Sequence, residues 1–406
     1  MNKVYLDYAA TTPVDKKVLL TMIPYFSDKF GNASSLHDFG QEAAQAVKKA
    51  RKQTADFLGA KSSEIIFTSG ATESNNLAIK GVVRAYYTKP ENKNRKPHII
   101  TTSFEHHCVL ETVKNLEKEG LIKATYIKPK NDGLIRAQDI KKTIRPNTIL
   151  VSVMYVNNEI GTVQPIAEIG KILESYKLKA SPHKLVFHTD ATQAVNYFDC
   201  NVDKLKVDLL SLSAHKIYGP KGIGALYIRQ GTAIQKIQDG GEQETGRRAG
   251  TLNVAGIVGL GSAIEKIKNQ KSKVKKILSL RDYFINRILK EIPNSKLNGS
   301  IKKRSPNNIN ISFKNVEGES LIMLLSAAGI AGSTGSACSS GSLEPSHVLL
   351  AINLKPEQAH GSLRLTLGKN TTKKEIDYVV KELKKIVKKL RKVSGRVLED
   401  YYKNKE

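Results

Sequence analysis

The sequence predicts an α/β protein with a large, mostly parallel sheet and a second, smaller α+β domain. Between about residues 40 and 260, short apolar runs alternate with helical patterns, and such alternation is typical of βαβ units. After about residue 262 the apolar residues recur at helical spacing over long stretches, interrupted by two further strand candidates. A chain of 406 residues is long enough for two or three domains.

Six apolar runs are predicted as strands of the large sheet, and several are apolar almost throughout, as in strands covered on both faces. They are Ile65–Thr68, His98–Thr102, Thr148–Val156, Lys184–Thr189, Asp208–Ser213 and Gly224–Ile228. The helical stretches between them include Gln41–Leu58, ended by Gly59, and Glu73–Tyr87. Ligands of such sheets bind at the carboxyl ends of the strands.

The C-terminal part predicts the smaller domain, which the N-terminal residues complete. Its later elements are a strand at Asn308–Phe313, a helix at Glu319–Ala328, a strand at Ser362–Leu367 and a final helix that opens with a capping box of Thr372 and Glu375. We place the large domain at residues 15–262. The small domain then consists of residues 1–14 and 263–406, with a Gly/Ser-rich loop at about 329–345.

The chain is strongly basic, with 65 Lys+Arg, 38 Asp+Glu and a net charge of +27. Such a surplus raises the question of an acidic partner. Residues 266–304 hold a surplus of 11 positive charges and residues 369–406 a surplus of 7, largely on the polar faces of amphipathic helical regions. Aromatic residues make up only 6% of the chain and include no Trp, so few side chains are available to stack on nucleic-acid bases. We therefore expect no direct nucleic-acid binding.

Three scattered cysteines, Cys108, Cys200 and Cys338, are too few for a disulfide framework. No CxxC pair is present, so we expect no cysteine-based zinc site and no metal site. No apolar run approaches the ~18 residues of a membrane span, and the N-terminus has no secretory signal. These features predict a cytoplasmic protein in a reducing compartment, without a membrane partner.

Three motifs at predicted strand ends suggest a cofactor site. Lys216, in Ser-Ala-His-Lys, follows an apolar strand, where burial lowers a lysine pKa and a neutral amine can form a Schiff base. Thr68–Glu73 offers small residues before a helix, a plausible phosphate cradle. Asp190 could pair with a protonated ring nitrogen of a cofactor. Taken singly, these motifs also fit a surface turn lysine, an ordinary strand–helix turn and a helix N-cap.

Three further motifs carry reactive groups. Glu105–His107 follows another strand, and a histidine there could stack on a flat ring or act as an acid or base. Cys338 lies among small residues in Gly332–Gly341, a setting that favours a nucleophile or carrier over a packed structural thiol. Arg364 alternates with leucines on a predicted strand and could grip a carboxylate. Each motif also has a non-catalytic interpretation: a histidine at a helix start, an incidental free thiol, and a surface arginine in an ion pair.

In their order along the chain, the motifs resemble those of the cysteine desulfurases. The matching segments are YLDYAATTP, TSGATESNN, VNNEIG, HTDATQ, SAHKIYGPKG, RRAGT, GSACSSGSLEPSHVL and HGSLRLTLG. The resemblance implies a homodimeric pyridoxal-phosphate transferase fold of the aspartate-aminotransferase type, in the class V branch. It also implies the long-loop group of sulfurtransferases, which take sulfur from L-cysteine, leave L-alanine and supply iron–sulfur cluster assembly or tRNA thiolation through an acceptor protein.

The resemblance assigns residue roles. Lys216 is the Schiff-base lysine, Cys338 carries the persulfide, and His106 stacks on the ring of pyridoxal 5'-phosphate and is a candidate to deprotonate a thiol. Asp190 pairs with the pyridine nitrogen, and Gln193 contacts the ring hydroxyl. The remaining assignments are Ala71, Thr72, Ser213 and His215 to the phosphate, Thr251 to the phosphate of the neighbouring subunit, and Asn158 and Arg364 to the substrate, with Asn158 also on the cofactor.

Two alternatives stay open at this point. Another class V enzyme, an aminotransferase or a selenocysteine lyase, would share the cofactor residues, so that only Cys338 and its loop discriminate. A basic nucleic-acid-binding protein without catalysis would rest on the net charge alone. No role is assigned to Cys108 or Cys200, and the sequence does not identify the sulfur acceptor.

Overall fold

The structure is a computed structural model that describes residues 3–177, 185–268, 271–334 and 345–403. Its strands are β1 Val4–Tyr5, β2 Ile65–Thr68, β3 His98–Thr102, β4 Lys123–Ile127, β5 Thr148–Ser152, β6 Val186–Asp190, β7 Leu209–Ser213, β8 Gly224–Ile228, β9 Ser295–Leu297, β10 Asn308–Phe313, β11 Ile330–Ala331 and β12 Ser362–Thr366. Its helices are α1 Lys16–Met22, α2 Pro24–Ser27, α3 Asp38–Leu58, α4 Ala71–Tyr87, α5 His107–Lys118, α6 Ala137–Thr143, α7 Ile166–Lys177, α8 Val202–Leu205, α9 Val254–Ile267, α10 Lys271–Glu291, α11 Gly318–Ala327, α12 His347–Ala351, α13 Pro356–His360 and α14 Lys373–Lys403.

The large sheet has seven strands in the order β2-β8-β7-β6-β5-β3-β4. Strand β8 runs antiparallel to both of its neighbours, whereas the other pairs are parallel. The predicted α/β class with a mostly parallel sheet is therefore confirmed. The central strands are buried along their whole length, which explains why they are apolar in sequence.

The structure differs from the sequence-based prediction at the edges of the elements. The predicted strand Thr148–Val156 ends at Ser152. Beyond it the chain turns, and the amide of Tyr155 donates to the carbonyl of Asp190 at 2.9 Å. Strand β4 was absent from the prediction because it lies at the sheet edge, where its half-exposed residues lack a buried apolar run.

Helices cover both faces of the large sheet. One apolar cluster includes α3 and α9, and another packs α4 and α5 against the opposite face. Helix α3 ends at Gly59, as predicted, with φ of 68°, a left-handed conformation that glycine adopts without steric cost. Among the described residues, no helix combines the length and the apolar character needed to cross a lipid bilayer.

A third apolar cluster surrounds the antiparallel sheet β12-β10-β9. Strand β1 pairs in parallel with β11, so the N-terminus joins C-terminal elements. Helix α14 is entered through the predicted capping box, in which the Glu375 amide donates to Thr372 Oγ1 at 3.3 Å and the Thr372 amide donates to Glu375 Oε2 at 2.7 Å. The domain boundaries given above remain a prediction.

Candidate active site

Lys216 lies directly beyond the carboxyl end of β7, on a short 3-10 turn. Its Nζ donates to the carbonyl oxygens of Ala9 and Ala10, at 2.5 and 2.6 Å. The amine is thus held at the edge of the sheet where ligands of α/β proteins bind. Two main-chain acceptors orient it, and neither is a carboxylate that would pin it as a permanent ion pair.

Asp190 ends β6, the strand next to β7, and its residue is only 6% exposed. Its Oδ2 accepts from Asn75 Nδ2 at 2.7 Å, and its Oδ1 accepts from the amide of Thr192 at 2.9 Å. These donors fix the direction of the carboxylate. Such a carboxylate can keep a protonated ring nitrogen charged in a buried site.

The N-terminus of α4 offers an anion cradle beside Ser213. Gly70 precedes Ala71 with φ of 153° and no side chain caps the helix, so first-turn amides are available to an anion. A Cβ on Gly224 would lie 2.7 Å from the Gly70 Cα, which shows how closely the backbones approach. His215, whose Nδ1 lies 3.2 Å from Thr11 Oγ1, has its pKa lowered to about 4 by burial and is neutral.

Within the described residues, several buried polar atoms of the site lack a hydrogen-bond partner, among them Asn75 Oδ1, Thr192 Oγ1 and Asn158 Oδ1. Buried polar groups are normally satisfied, so these atoms indicate a polar ligand. Together with the anion cradle and the Asp190 carboxylate, they fit a phosphorylated aromatic cofactor such as pyridoxal 5'-phosphate.

His106 is the N-cap of α5, and its Nδ1 accepts from the amide of Cys108 at 3.2 Å. Burial lowers its pKa, so the ring is neutral, and the acceptor role of Nδ1 assigns the proton to Nε2. The Cys108 Sγ lies 3.0 Å from the same Nδ1, and burial raises its pKa to about 12. Cys108, to which the sequence assigned no role, therefore contacts the site as a protonated thiol.

Arg364 lies on β12 with a side chain only 6% exposed, while its strand neighbours Leu363 and Leu365 pack in the third apolar cluster. The predicted alternation of leucines and arginine is confirmed. Nη1 donates to the carbonyl of Asn158 at 3.1 Å and Nη2 to Asp7 Oδ1 at 2.9 Å. The guanidinium thus already holds a carboxylate, that of Asp7.

Cys338 lies outside the described residues. On the N-terminal side of its loop, the amide of Ser333 donates to the carbonyl of Arg364 at 3.0 Å. On the C-terminal side, His347 Nε2 lies 2.9 Å from the carbonyl of Glu105, next to His106. Both flanks of the loop are therefore attached to residues of the candidate site.

Comparison with known proteins identifies the family. The sequence profile described as Aminotransferase class-V matches residues 4–379. The chain belongs to this family. The cysteine desulfurase IscS of Dictyoglomus turgidum is 53% identical over 385 residues, which cover 95% of this chain and 94% of the relative.

Two solved structures extend this likeness to the fold. A NifS-like protein has 36% identity and a TM-score of 0.87, and the match covers 95% of this chain and 100% of that one. A structure described as SspA in complex with cysteine has 40% identity and a TM-score of 0.78, over 91% of this chain and 100% of that one. The resemblance to cysteine desulfurases within the class V family is confirmed.

The two remaining predicted site residues, Gln193 and Thr251, differ in their position relative to the Lys216 amine. Gln193 is close to the amine, because its Nε2 donates to the carbonyl of Ala9 at 3.0 Å, the acceptor that it shares with Lys216. Thr251 is exposed. Its role at the phosphate of a neighbouring subunit, which the resemblance implies, remains a prediction.

Sequence reasoning missed Asn75, Asp7 and Glu105. Asn75 is fully buried on α4 and holds Asp190; the available signal was an amide on the apolar face of an otherwise amphipathic helix. Glu105 is buried beside His106, and its Oε1 accepts from the Met154 amide and from Thr102 Oγ1, both at 2.8 Å.

Substitution of Glu105 by Gln is expected to change the pH dependence of stability. Burial raises the pKa of Glu105 from 4.5 to about 8. Between these values the folded protein keeps a proton that the unfolded chain has released, so this group lowers stability as pH rises from about 4.5 to 8. We expect E105Q to be more stable than the wild type at pH 8 by a few kcal/mol (order of magnitude) and equal to it near pH 4.

Urea unfolding of both proteins between pH 4 and 9 measures this difference. Glu111→Gln, on the exposed side of α5, serves as the control and should show no such slope. A difference between E105Q and wild type that does not grow with pH would contradict a neutral Glu105.

Proposed function

We propose that this chain is a pyridoxal-phosphate-dependent cysteine desulfurase that takes sulfur from L-cysteine, leaves L-alanine and holds the sulfur as a persulfide on Cys338. The observation that carries the proposal is the convergence of three groups at the carboxyl edge of the large sheet, with Arg364 on β12 beside them. Lys216 follows β7, Asp190 ends β6 and His106 follows β3. An amine, a ring-nitrogen partner, an acid–base group and a carboxylate anchor are what the reaction requires.

The cofactor would be held by the cradle described above. Ala71, Thr72, Ser213 and His215 would bind its phosphate, while Asp190 and Gln193 would contact the ring nitrogen and the ring hydroxyl. When bound, pyridoxal phosphate supplies an electron sink next to the substrate α-carbon. The class V membership and the partnerless buried polar atoms support this assignment.

The chain's own residues then divide the work. Arg364 and Asn158 orient L-cysteine, Arg364 through the substrate carboxylate, and the Lys216 amine moves the α-proton. The neutral His106 can take the thiol proton of the substrate or of Cys338. The Cys338 thiolate attacks the substrate sulfur: an S–S bond forms, the Cβ–S bond breaks, and its electron pair stays on carbon, which is protonated to give alanine.

The test of this function is the product balance of the holoenzyme with L-cysteine and a thiol reductant. We expect alanine and sulfide in equal amounts. A keto acid in place of alanine would establish an aminotransferase, and turnover of selenocysteine alone would establish a lyase of that type.

We further propose that the enzyme is a homodimer. The first helical segments expose a group of large apolar side chains, comprising Leu19, Leu20, Ile23, Phe26, Phe30 and Phe39, and a patch of this kind marks an interaction surface. The exposed Thr251 would complete the phosphate site of the second subunit.

A cytoplasmic location is supported by the free thiols of Cys108 and Cys200.

The sulfur acceptor is proposed to be an acidic protein, either an iron–sulfur scaffold or a tRNA-thiolating enzyme. Helices α10 and α14 form a groove of about 350 Å³ whose lining includes Lys384, Lys388, Arg391 and Lys392, with Glu291 as its one carboxylate. A concentrated positive field of this kind raises the association rate of an acidic partner.

Reversal of charge at Lys384, Lys385 and Lys388 is expected to slow persulfide transfer to the acceptor about tenfold at low salt and to flatten its salt dependence. Sulfide release to a small neutral thiol should be unchanged. The control reverses three exposed lysines elsewhere, Lys128, Lys141 and Lys142. Equal transfer rates and salt slopes in both triple variants would refute steering by this groove.

A further inference from the structure

The N-terminal segment Asp7–Thr12 contacts four residues of the candidate site. Its carbonyls at Ala9 and Ala10 accept from Lys216, and Ala9 also accepts from Gln193. Thr11 lies against His215, and Asp7 binds Arg364. The same segment is fixed to β12, because the Ala9 amide donates to Thr366 Oγ1 at 2.9 Å. A segment in which the sequence analysis assigned no site residue is thus part of the site.

Asp7 and Arg364 form an ion pair at 2.9 Å, with side chains 19% and 6% exposed. Nη1 is taken by the Asn158 carbonyl, whereas Nε is buried with no partner among the described residues. Nε and Nη2 lie on one edge of the planar guanidinium, the edge that binds a carboxylate with two parallel bonds. Asp7 occupies half of that edge, and the partnerless Nε leaves the other half to a ligand.

Glu159 is a second carboxyl group that interacts electrostatically with Arg364, but it is less suited to neutralise the guanidinium charge. Burial raises its pKa to about 7, and it accepts a hydrogen bond from Ser346. Asp7 is the carboxylate that forms the ion pair with the guanidinium in the described structure.

We propose that Asp7 is a positioning residue that sets the affinity of Arg364 for the substrate carboxylate, a role that rests on the proposed function of Arg364. One carboxylate oxygen of Asp7 accepts from Nη2 and so fixes the orientation of the guanidinium. Its negative charge also opposes a second carboxylate on the same edge, so that the amino acid binds less tightly and the product alanine leaves readily. A buried guanidinium without this counter-ion would hold any carboxylate more strongly.

Asp7→Asn separates the two effects, since the amide oxygen can still accept from Nη2 while the charge is lost. We expect D7N holoenzyme to bind L-alanine about fivefold more tightly and to show a lower KM for L-cysteine. Ethylamine, which is alanine without its carboxylate, should bind as in the wild type. Asp7→Glu keeps the charge and should not tighten alanine binding.

Ligand-induced thermal shifts with L-alanine and ethylamine measure these affinities without turnover, alongside KM and kcat. The control is Asp377→Asn, an aspartate that pairs with Arg287 at 2.6 Å between α10 and α14. In an R364Q background, D7N should cause no further change. Unaltered alanine affinity in D7N, equal tightening of ethylamine, or full tightening in the R364Q background would overturn the proposal.

The same experiment separates this failure from that of the proposed function. If wild type releases sulfide and R364Q raises KM while D7N equals wild type, only the role of Asp7 falls. If R364Q leaves KM and alanine binding unchanged, the assignment of Arg364 is wrong and the role of Asp7 falls with it.

Discussion

Cys338→Ala is expected to abolish sulfide release from L-cysteine while the visible absorbance of the bound cofactor stays that of the wild type. The residues proposed to hold the cofactor lie at the ends of β6 and β7 and at the start of α4, and Cys338 is not among them. Without the nucleophile, the substrate sulfur has no acceptor, so we expect a loss of at least about a thousandfold, or about 4 kcal/mol of barrier.

The matched control is Cys200→Ala, which removes a thiol buried in the first apolar cluster and should retain activity. Sulfide assays with a thiol reductant, and mass spectrometry of trapped persulfide, distinguish the variants. Sulfide release at the wild-type rate by C338A would refute the persulfide mechanism. It would favour one of the other class V activities, an aminotransferase or a selenocysteine lyase.

Lys216→Ala is expected to purify without a lysine-linked cofactor and without desulfurase activity. Borohydride should then fix no pyridoxyl group on the chain, and alanine formation should fall by at least about a thousandfold, because both the covalent anchor and the group that moves the α-proton are lost.

Lys221→Ala is the control for this experiment. Lys221 is an exposed lysine in the same Gly-Pro-Lys-Gly stretch and should leave cofactor binding intact. A pyridoxyl group that borohydride fixes on K216A, and that peptide mapping locates on another lysine, would contradict the assignment.

Much of the fold could be predicted from local patterns. Strands β2, β3, β8 and β10 have the predicted bounds, because each is a short apolar run between turns and is buried on both faces. The face of α14 that carries Ile376, Val379 and Leu383 is buried as expected from its spacing. The edge strands β4 and β9 escaped prediction, since their residues are mostly half-exposed and form no buried apolar run.

Part of the chemistry of the site could also be predicted from local sequence patterns. Asp190 and Lys216 lie at the carboxyl ends of neighbouring strands, so a correct sheet places them together. Their order along the chain, with the motif around Cys338, already indicated the family that the comparisons confirmed. The sequence by itself therefore determined the fold class, the family and the reactive groups.

Only the tertiary structure decided what surrounds those groups. Asp7 meets Arg364 across 357 positions of the chain, and Asn75 meets Asp190 across 115. No local periodicity encodes such pairs, because they depend on how β1 and β12 are joined and on the depth at which α4 packs on the sheet. The same burial decides that Glu105 keeps its proton and that His106 does not, since a pKa follows from the desolvation of a side chain rather than from its type.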